Sequence, residues 1–131
     1  MSFKFRTQVS KADCDGLKQF IRSRQVDYCQ KALEANWSAQ GLPVVLQRNT
    51  YDIYFELVHC HCDFRAPIKV NDTLDIHVSL FKHDHHSLVY DFSLERDGKV
   101  VGATLSIHRS HSVKTNEVCG IHPELIEKIL A

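Results

Sequence analysis

Between Thr50 and His111 apolar and polar positions alternate with the period of a strand, whereas from about Ile21 to Trp37 they recur with the period of a helix. At about 3.6 residues per turn, Ser23, Asp27, Gln30, Lys31 and Glu34 share one narrow polar strip, while Ile21, Val26, Tyr28, Cys29, Ala32, Leu33 and Trp37 cover most of the remaining circumference. A helix that apolar is largely enclosed, so one long helix must serve a whole sheet. Asp27 and Lys31, at i and i+4 with the acid first, predict modest ion-pair support for a water-facing strip.

The strands follow from the same reading. Phe3, Phe5 and Val9 alternate with Lys4, Arg6 and Gln8, the pattern of a first strand with one face buried. Gly41 and Pro43 mark a helix stop, after which V-V-L-Q-R-N predicts one short helical turn. Tyr51 to Phe64 is rich in β-branched and aromatic residues but changes buried parity near Leu57 and Val58, which predicts a bulge or a strand covered on both faces; Ala66-Pro67 ends it. Three further strands are expected to bury Leu74, Ile76, Val78 and Leu80, then Leu88, Tyr90, Phe92 and Leu94, then Val101, Ala103, Leu105 and Ile107, leaving Gly102, Thr104, Ser106 and His108 on the opposite face of the last one. Asp97-Gly98 predicts a two-residue type I′ hairpin, His83 to His86 a longer polar connection, and Pro123 the start of a short amphipathic C-terminal helix. Strand, long helix, then four strands predicts one curved, mainly antiparallel five-stranded sheet wrapped around one helix.

Composition narrows the function classes. With 131 residues, 44% hydrophobic and 24% charged, the chain fits one domain with a real core. Its 16 basic and 16 acidic residues form no run of like charge, which removes the usual footprint for nucleic acid or an anionic membrane. No apolar leader core and no bilayer-spanning stretch is visible, so a cytoplasmic location is expected. Five cysteines without paired C-x-x-C spacings fit reduced thiols. The H-C-H-C run at His59 to Cys62 has zinc-ligand chemistry, but a strand sends its histidines to one face and its cysteines to the other; no metal is expected there, and Cys60 and Cys62 are predicted to be small core fillers. His83, His85 and His86 read as a solvated turn, and Arg22 and Arg24 as surface residues.

Four stretches together carry a family likeness: D-C-D-G at Asp13 to Gly16, D-F-R-A-P-I-K-V-N-D-T-L-D-I at Asp63 to Ile76, H-H-S-L-V-Y at His85 to Tyr90, and H-P-E-L at His122 to Leu125. In this the chain resembles the 4-hydroxybenzoyl-CoA thioesterase family of acyl-CoA thioesterases. The resemblance implies an α+β hotdog fold, a single domain over 1–131, and hydrolysis of an acyl-CoA thioester to a carboxylic acid and free CoA. It places the essential aspartate in the loop between the first strand and the central helix, where Asp15 matches best and Asp13 is the alternative; such a carboxylate serves as nucleophile or general base while backbone N–H groups beside a helix N-terminus polarise the carbonyl. Coenzyme A enters as part of the substrate, with no separate cofactor, and the family's use of the hairpin and following strand makes Lys82, His86 and Ser87 its candidate ligands. A homodimer or homotetramer is implied as well. Read without the family, Asp13 and Asp15 are the caps of a helix, which alone explains acids before it. After Gly16 the chain reads L-K-Q-F-I-R-S-R, where the family carries Asn and aromatic residues. That departure sustains a second reading, a hotdog module that binds an acyl ligand or acts only through assembly. A dehydratase would want a histidine beside the aspartate, and none lies between Asp13 and Trp37.

Overall fold

Along the chain come β1 (Ser2–Gln8), α1 (Gln25–Ala39), α2 (Val44–Tyr51), β2 (Ile53–Phe64), β3 (Thr73–His83), β4 (Ser87–Arg96), β5 (Lys99–Ser112) and α3 (Pro123–Leu130), in a computed structural model that describes residues 2–131. The strands form one antiparallel sheet in the order β1-β3-β4-β5-β2, so β1 and β2 are its edges. Tyr28, Cys29, Ala32, Leu33 and Trp37 of α1 share one core with Leu74, Ile76 and Val78 of β3 and with Leu88, Tyr90, Phe92 and Leu94 of β4. Burying each large side chain of this kind contributes about 1.5–3 kcal/mol, which is why the sheet curls around the helix. This is the hotdog arrangement that the pattern implies. Asp27, Lys31 and Glu34 keep the opposite side of α1 in water, as the polar strip requires. The helix ends where Gly41 takes φ +76°: Leu42 N–H reaches the Trp37 carbonyl at 2.8 Å and Gly41 N–H that of Ser38 at 3.1 Å, satisfying carbonyls the last turn leaves open. The β4–β5 hairpin turns at Asp97 and Gly98, both at positive φ, as a type I′ turn demands.

Several local expectations are corrected. The central helix begins at Gln25 rather than near Ile21, with Arg22–Arg24 wound as a 3₁₀ turn. The approach is held extended because Phe20 N–H bonds the Ile68 carbonyl and Ile21 N–H that of Asp13. Asp27 lies 3.6 Å from the Arg24 guanidinium instead of pairing with Lys31, whose ammonium sits 5.2 Å above the Tyr28 ring. The stretch after Pro43 makes a full eight-residue helix rather than one turn, its entry fixed by the buried Gln47 amide donating to the Leu42 carbonyl.

The largest correction concerns β5. Thr104, Ser106, His108 and Ser110 are buried on the helix side, whereas Ala103, Leu105 and Ile107 are only half-buried on the outer face. A register shift is the cause: Leu94 pairs with Gly102 but Glu95 with Val100, so Val101 is an extra residue and every later side chain changes face. The bulge expected in β2 is present, with Val58 unpaired between Leu57 and His59. Cys60 and Cys62 do not fill the core; Cys60 is exposed and Cys62 partly so, because β2 is the free edge of the sheet.

Candidate active site

The segment between β1 and α1 folds back on itself. Cys14 bridges Phe20 and Gln19 bridges Lys69, so the intervening residues form a tight turn beside the stretch that precedes β3. Asp15 closes the turn from both ends: its N–H donates to the Gln19 carbonyl at 2.8 Å, and its carbonyl accepts from Lys18 at 3.0 Å. Its carboxylate then gathers the turn's amides, Oδ1 accepting from Leu17 N–H at 2.8 Å and Gln19 N–H at 3.1 Å. Oδ2 carries no hydrogen bond among the described residues, and the side chain is exposed. Lys18 completes the turn at φ +63°, a conformation costing a non-glycine residue about 1 kcal/mol or more and found more often where a loop has work to do.

Asp13 plays a different part. Its Oδ2 accepts from the Tyr28 hydroxyl at 2.6 Å and its Oδ1 lies 3.8 Å from Arg24, while Ser10 N–H donates to the same Tyr28 oxygen. Burial and the bond to Asp13 push the Tyr28 phenol above its ordinary pKa. Asp13 therefore ties the loop to α1, and Asp15 projects from it. Neither acid caps the helix: the N-cap is Arg24, without a side-chain bond, and the donors around Asp15 come from its own turn rather than from α1. Burial and the neighbouring carboxylates of Asp13, Asp15 and Asp72 push the Cys14 thiol, between them, above its ordinary pKa.

Beside this turn opens a pocket of about 180 Å³. Phe20, Phe64, Ile68 and Val101 supply apolar walls, and Gln19 and Arg22 sit among its polar lining, with the Arg22 guanidinium 5.3 Å above the Phe64 ring. Gln19 thus joins the pocket to the Asp15 carboxylate that holds its N–H. Gln25, the first residue of α1, also lines the pocket yet is 0% exposed. Its Nε2 donates to the Asp63 carbonyl at 3.3 Å, the Ala103 carbonyl at 3.1 Å and Thr104 Oγ1 at 3.0 Å. Its Oε1 is buried without a partner. The sequence hid this residue among the polar positions of α1, although Gln25, Cys29 and Asn36 recur at helical spacing on the enclosed face. A polar residue in register with a buried stripe was the available signal.

Lys82, His86 and Ser87 lie elsewhere. The Asp15 turn is bonded to Lys69 and Val70, ahead of the Thr73 end of β3, whereas Lys82 stands nine residues along that strand, roughly 30 Å away at the rise of an extended chain. There His86 N–H bonds the Asp84 carboxylate, which this contact holds below the usual carboxylate range; Ser87 is buried with its hydroxyl 3.3 Å from His86 Nδ1, and Lys82 is exposed. Among the described residues no group of three or more His, Cys, Asp and Glu side chains is placed to hold a metal ion, and no helix is long and apolar enough to cross a membrane.

Comparison with known proteins agrees with this architecture. A 1,4-dihydroxy-2-naphthoyl-CoA hydrolase of Synechococcus sp. (strain CC9902) is 31% identical over 128 residues, covering 92% of this chain and 83% of that protein. Among solved structures, a 1,4-dihydroxy-2-naphthoyl-CoA thioesterase from Synechocystis superposes with a TM-score of 0.89 at 20% identity, covering 99% of this chain and 96% of that one. A gentisyl-coenzyme A thioesterase superposes with a TM-score of 0.86 at 19% identity, covering 95% and 99%. The family model of the thioesterase-like superfamily matches residues 9–129, from the end of the first strand through the C-terminal helix, and the chain belongs to that superfamily.

Proposed function

We propose that the protein is an acyl-CoA thioesterase that cleaves the thioester of a hydroxylated aromatic acyl group, with Asp15 as its nucleophile or general base. The observation that carries this reading is the coupling of an exposed carboxylate, clamped by two backbone amides through one oxygen, to an aromatic-walled pocket through the shared residue Gln19. The pocket volume exceeds the roughly 150 Å³ at which an apolar protein cavity accepts benzene, so one ring fits. In one course, Asp15 Oδ2 attacks the thioester carbonyl, the C–S bond breaks, CoA leaves as thiolate and takes a proton, and water hydrolyses the resulting anhydride. In the other, the same oxygen takes a proton from the attacking water. Either way the donor available to the developing oxyanion is the Arg22 guanidinium, which lines the pocket, since the Arg24 and Gln25 N–H groups of the helix entrance already bond the Ile21 and Arg22 carbonyls. The named substrates of the relatives and neighbours, dihydroxynaphthoyl-CoA and gentisyl-CoA, support the choice of acyl group.

Lys82, His86 and Ser87 reach a CoA phosphate of this site only when a second copy brings its hairpin end against the first copy's turn. CoA contact there and a homo-oligomer therefore stand together. Asp15→Asn tests the reading: Asn keeps the Oδ1 acceptor for Leu17 and Gln19, so the turn survives, while the charge is gone. The expected loss is about two orders of magnitude or more in kcat, with Asp13→Asn as the control of much smaller effect. Equal rates for parent and Asp15→Asn on an aromatic acyl-CoA would remove Asp15 from the mechanism. A parent that cleaves no acyl-CoA would favour the binding or assembly module instead.

A further inference from the structure

Gln25 and Asn36 are the two polar residues on a buried helix face that otherwise presents Tyr28, Cys29, Ala32, Leu33 and Trp37, and Gln25 is the one that is 0% exposed. Its amide orientation is fixed by its surroundings: two backbone carbonyls and a hydroxyl converge on Nε2, and turning the amide over would set Oε1 against both carbonyls. The oxygen therefore points the other way, toward Gly102, where a Cβ would stand 2.8 Å from it. Gly102 follows the pocket residue Val101 and pairs with the pocket residue Phe64, so this buried acceptor lies just behind residues that line the aromatic pocket. A buried acceptor without a donor is costly, so one retained in a folded protein calls for a donor from outside the chain. No N–H or O–H of the described residues supplies that donor.

We propose that Gln25 is the specificity-determining residue of this pocket, its Oε1 accepting a hydrogen bond from a ring hydroxyl of the acyl group. This rests on the thioesterase reading and extends it: the aromatic walls hold the ring, and Gln25 separates hydroxylated rings from plain ones. Gly102 is part of the device, because any side chain there displaces the oxygen. A hydroxyl entering beside Phe64 gains a partner, whereas a plain ring seals the acceptor away unpaired. Sites of this kind discriminate far more strongly than sites that sense only a missing methylene.

The test compares benzoyl-CoA with the 2-, 3- and 4-hydroxybenzoyl-CoA isomers. At least one hydroxylated isomer is expected to exceed benzoyl-CoA by about 100-fold or more in kcat/KM, and Gln25→Met to bring that ratio near one. A purely structural Gln25 would lower both rates together and leave the ratio where it was, which would overturn the proposal, as would a parent indifferent to the hydroxyl. Should Gln25→Met fail to fold because the Asp63 and Ala103 carbonyls lose their donor, Gly102→Ala makes the same test: an unchanged ratio there overturns the assignment and a collapsed one supports it. If the parent hydrolyses none of the four thioesters, the thioesterase reading fails, and calorimetric binding of the same intact thioesters decides on Gln25. Hydroxyl-selective binding that Gln25→Met abolishes supports the proposal; equal binding, or none, overturns it.

Discussion

His108 should make the stability of this fold fall steeply in mild acid. The ring is buried among Trp37, Tyr90 and Ser106, with Nε2 2.8 Å from Ser106 Oγ and Nδ1 without a partner. Burial alone lowers its pKa from 6.5 to about 4. Between those values the unfolded chain binds a proton that the folded chain refuses, so stability rises with pH. The histidine's penalty is absent above about pH 6.5, grows as the pH falls, and levels off below about pH 4. Each pH unit inside the window is worth about 1.4 kcal/mol, giving about 2 kcal/mol by pH 5 and about 3 kcal/mol in full. Against a total stability of about 5–15 kcal/mol that loss is large. Urea unfolding at pH 7.5, 6.0 and 5.0 would measure it, with His108→Gln as the comparison, since its amide can still meet Ser106 but does not titrate. Subtracting the two profiles cancels other acid-sensitive contacts, among them Asp75, which Arg6 holds below its ordinary pKa and whose contribution is likewise lost as pH falls. Parallel profiles for parent and variant between pH 5 and 7 would refute the reasoning.

Two further outcomes are expected. Tyr90→Phe removes the acceptor for Trp37 Nε1–H, now 2.9 Å away in the core, and should lower stability by about 1–3 kcal/mol in urea unfolding at neutral pH; an unchanged midpoint would mean the indole finds another partner. The bare edge of β2, with Leu57, Val58 and Phe64 exposed, should be covered by a second copy, so light scattering at micromolar concentration should give at least a dimer; a strict monomer would speak against it and against CoA contacts from the partner's hairpin.

How much of this was legible in the sequence depended on where the period stayed regular. Leu74, Ile76 and Val78, and Leu88 through Leu94, showed their buried faces directly, because the β3–β4 irregularity adds its extra residue, Phe81, to β3 beyond Val78 and leaves the β4 run continuous. In β5 one extra residue at Val101 reversed the faces, and alternation has no absolute phase: Ala103, Leu105 and Ile107 look as inward as Thr104, Ser106 and His108 look outward until pairing with β4 is known. The family resemblance, carried in part by D-C-D, pointed to Asp15, and the fold sets it in the turn that holds the pocket residue Gln19. The pocket itself was illegible, since Phe20, Gln25, Phe64 and Val101 come from separate segments that only the curled sheet brings together.

The bulge at Val58 acts as a phase selector for the chemistry that β2 presents. By absorbing one residue, it turns Phe64 to the pocket and Cys62 to Thr104, while His61 and Asp63 face away and lie within 3.3 Å of each other. Were Val58 paired regularly instead, His59, His61 and Asp63 would take the inner positions now held by Cys60, Cys62 and the pocket residue Phe64, exchanging thiols and a ring for imidazoles and a carboxylate. One stretch of sequence thus encodes two different linings, and the choice between them rests on a slip of a single residue. In descendants of this fold, an insertion or deletion in β2 far from Asp15 is a short route to a pocket of different chemistry.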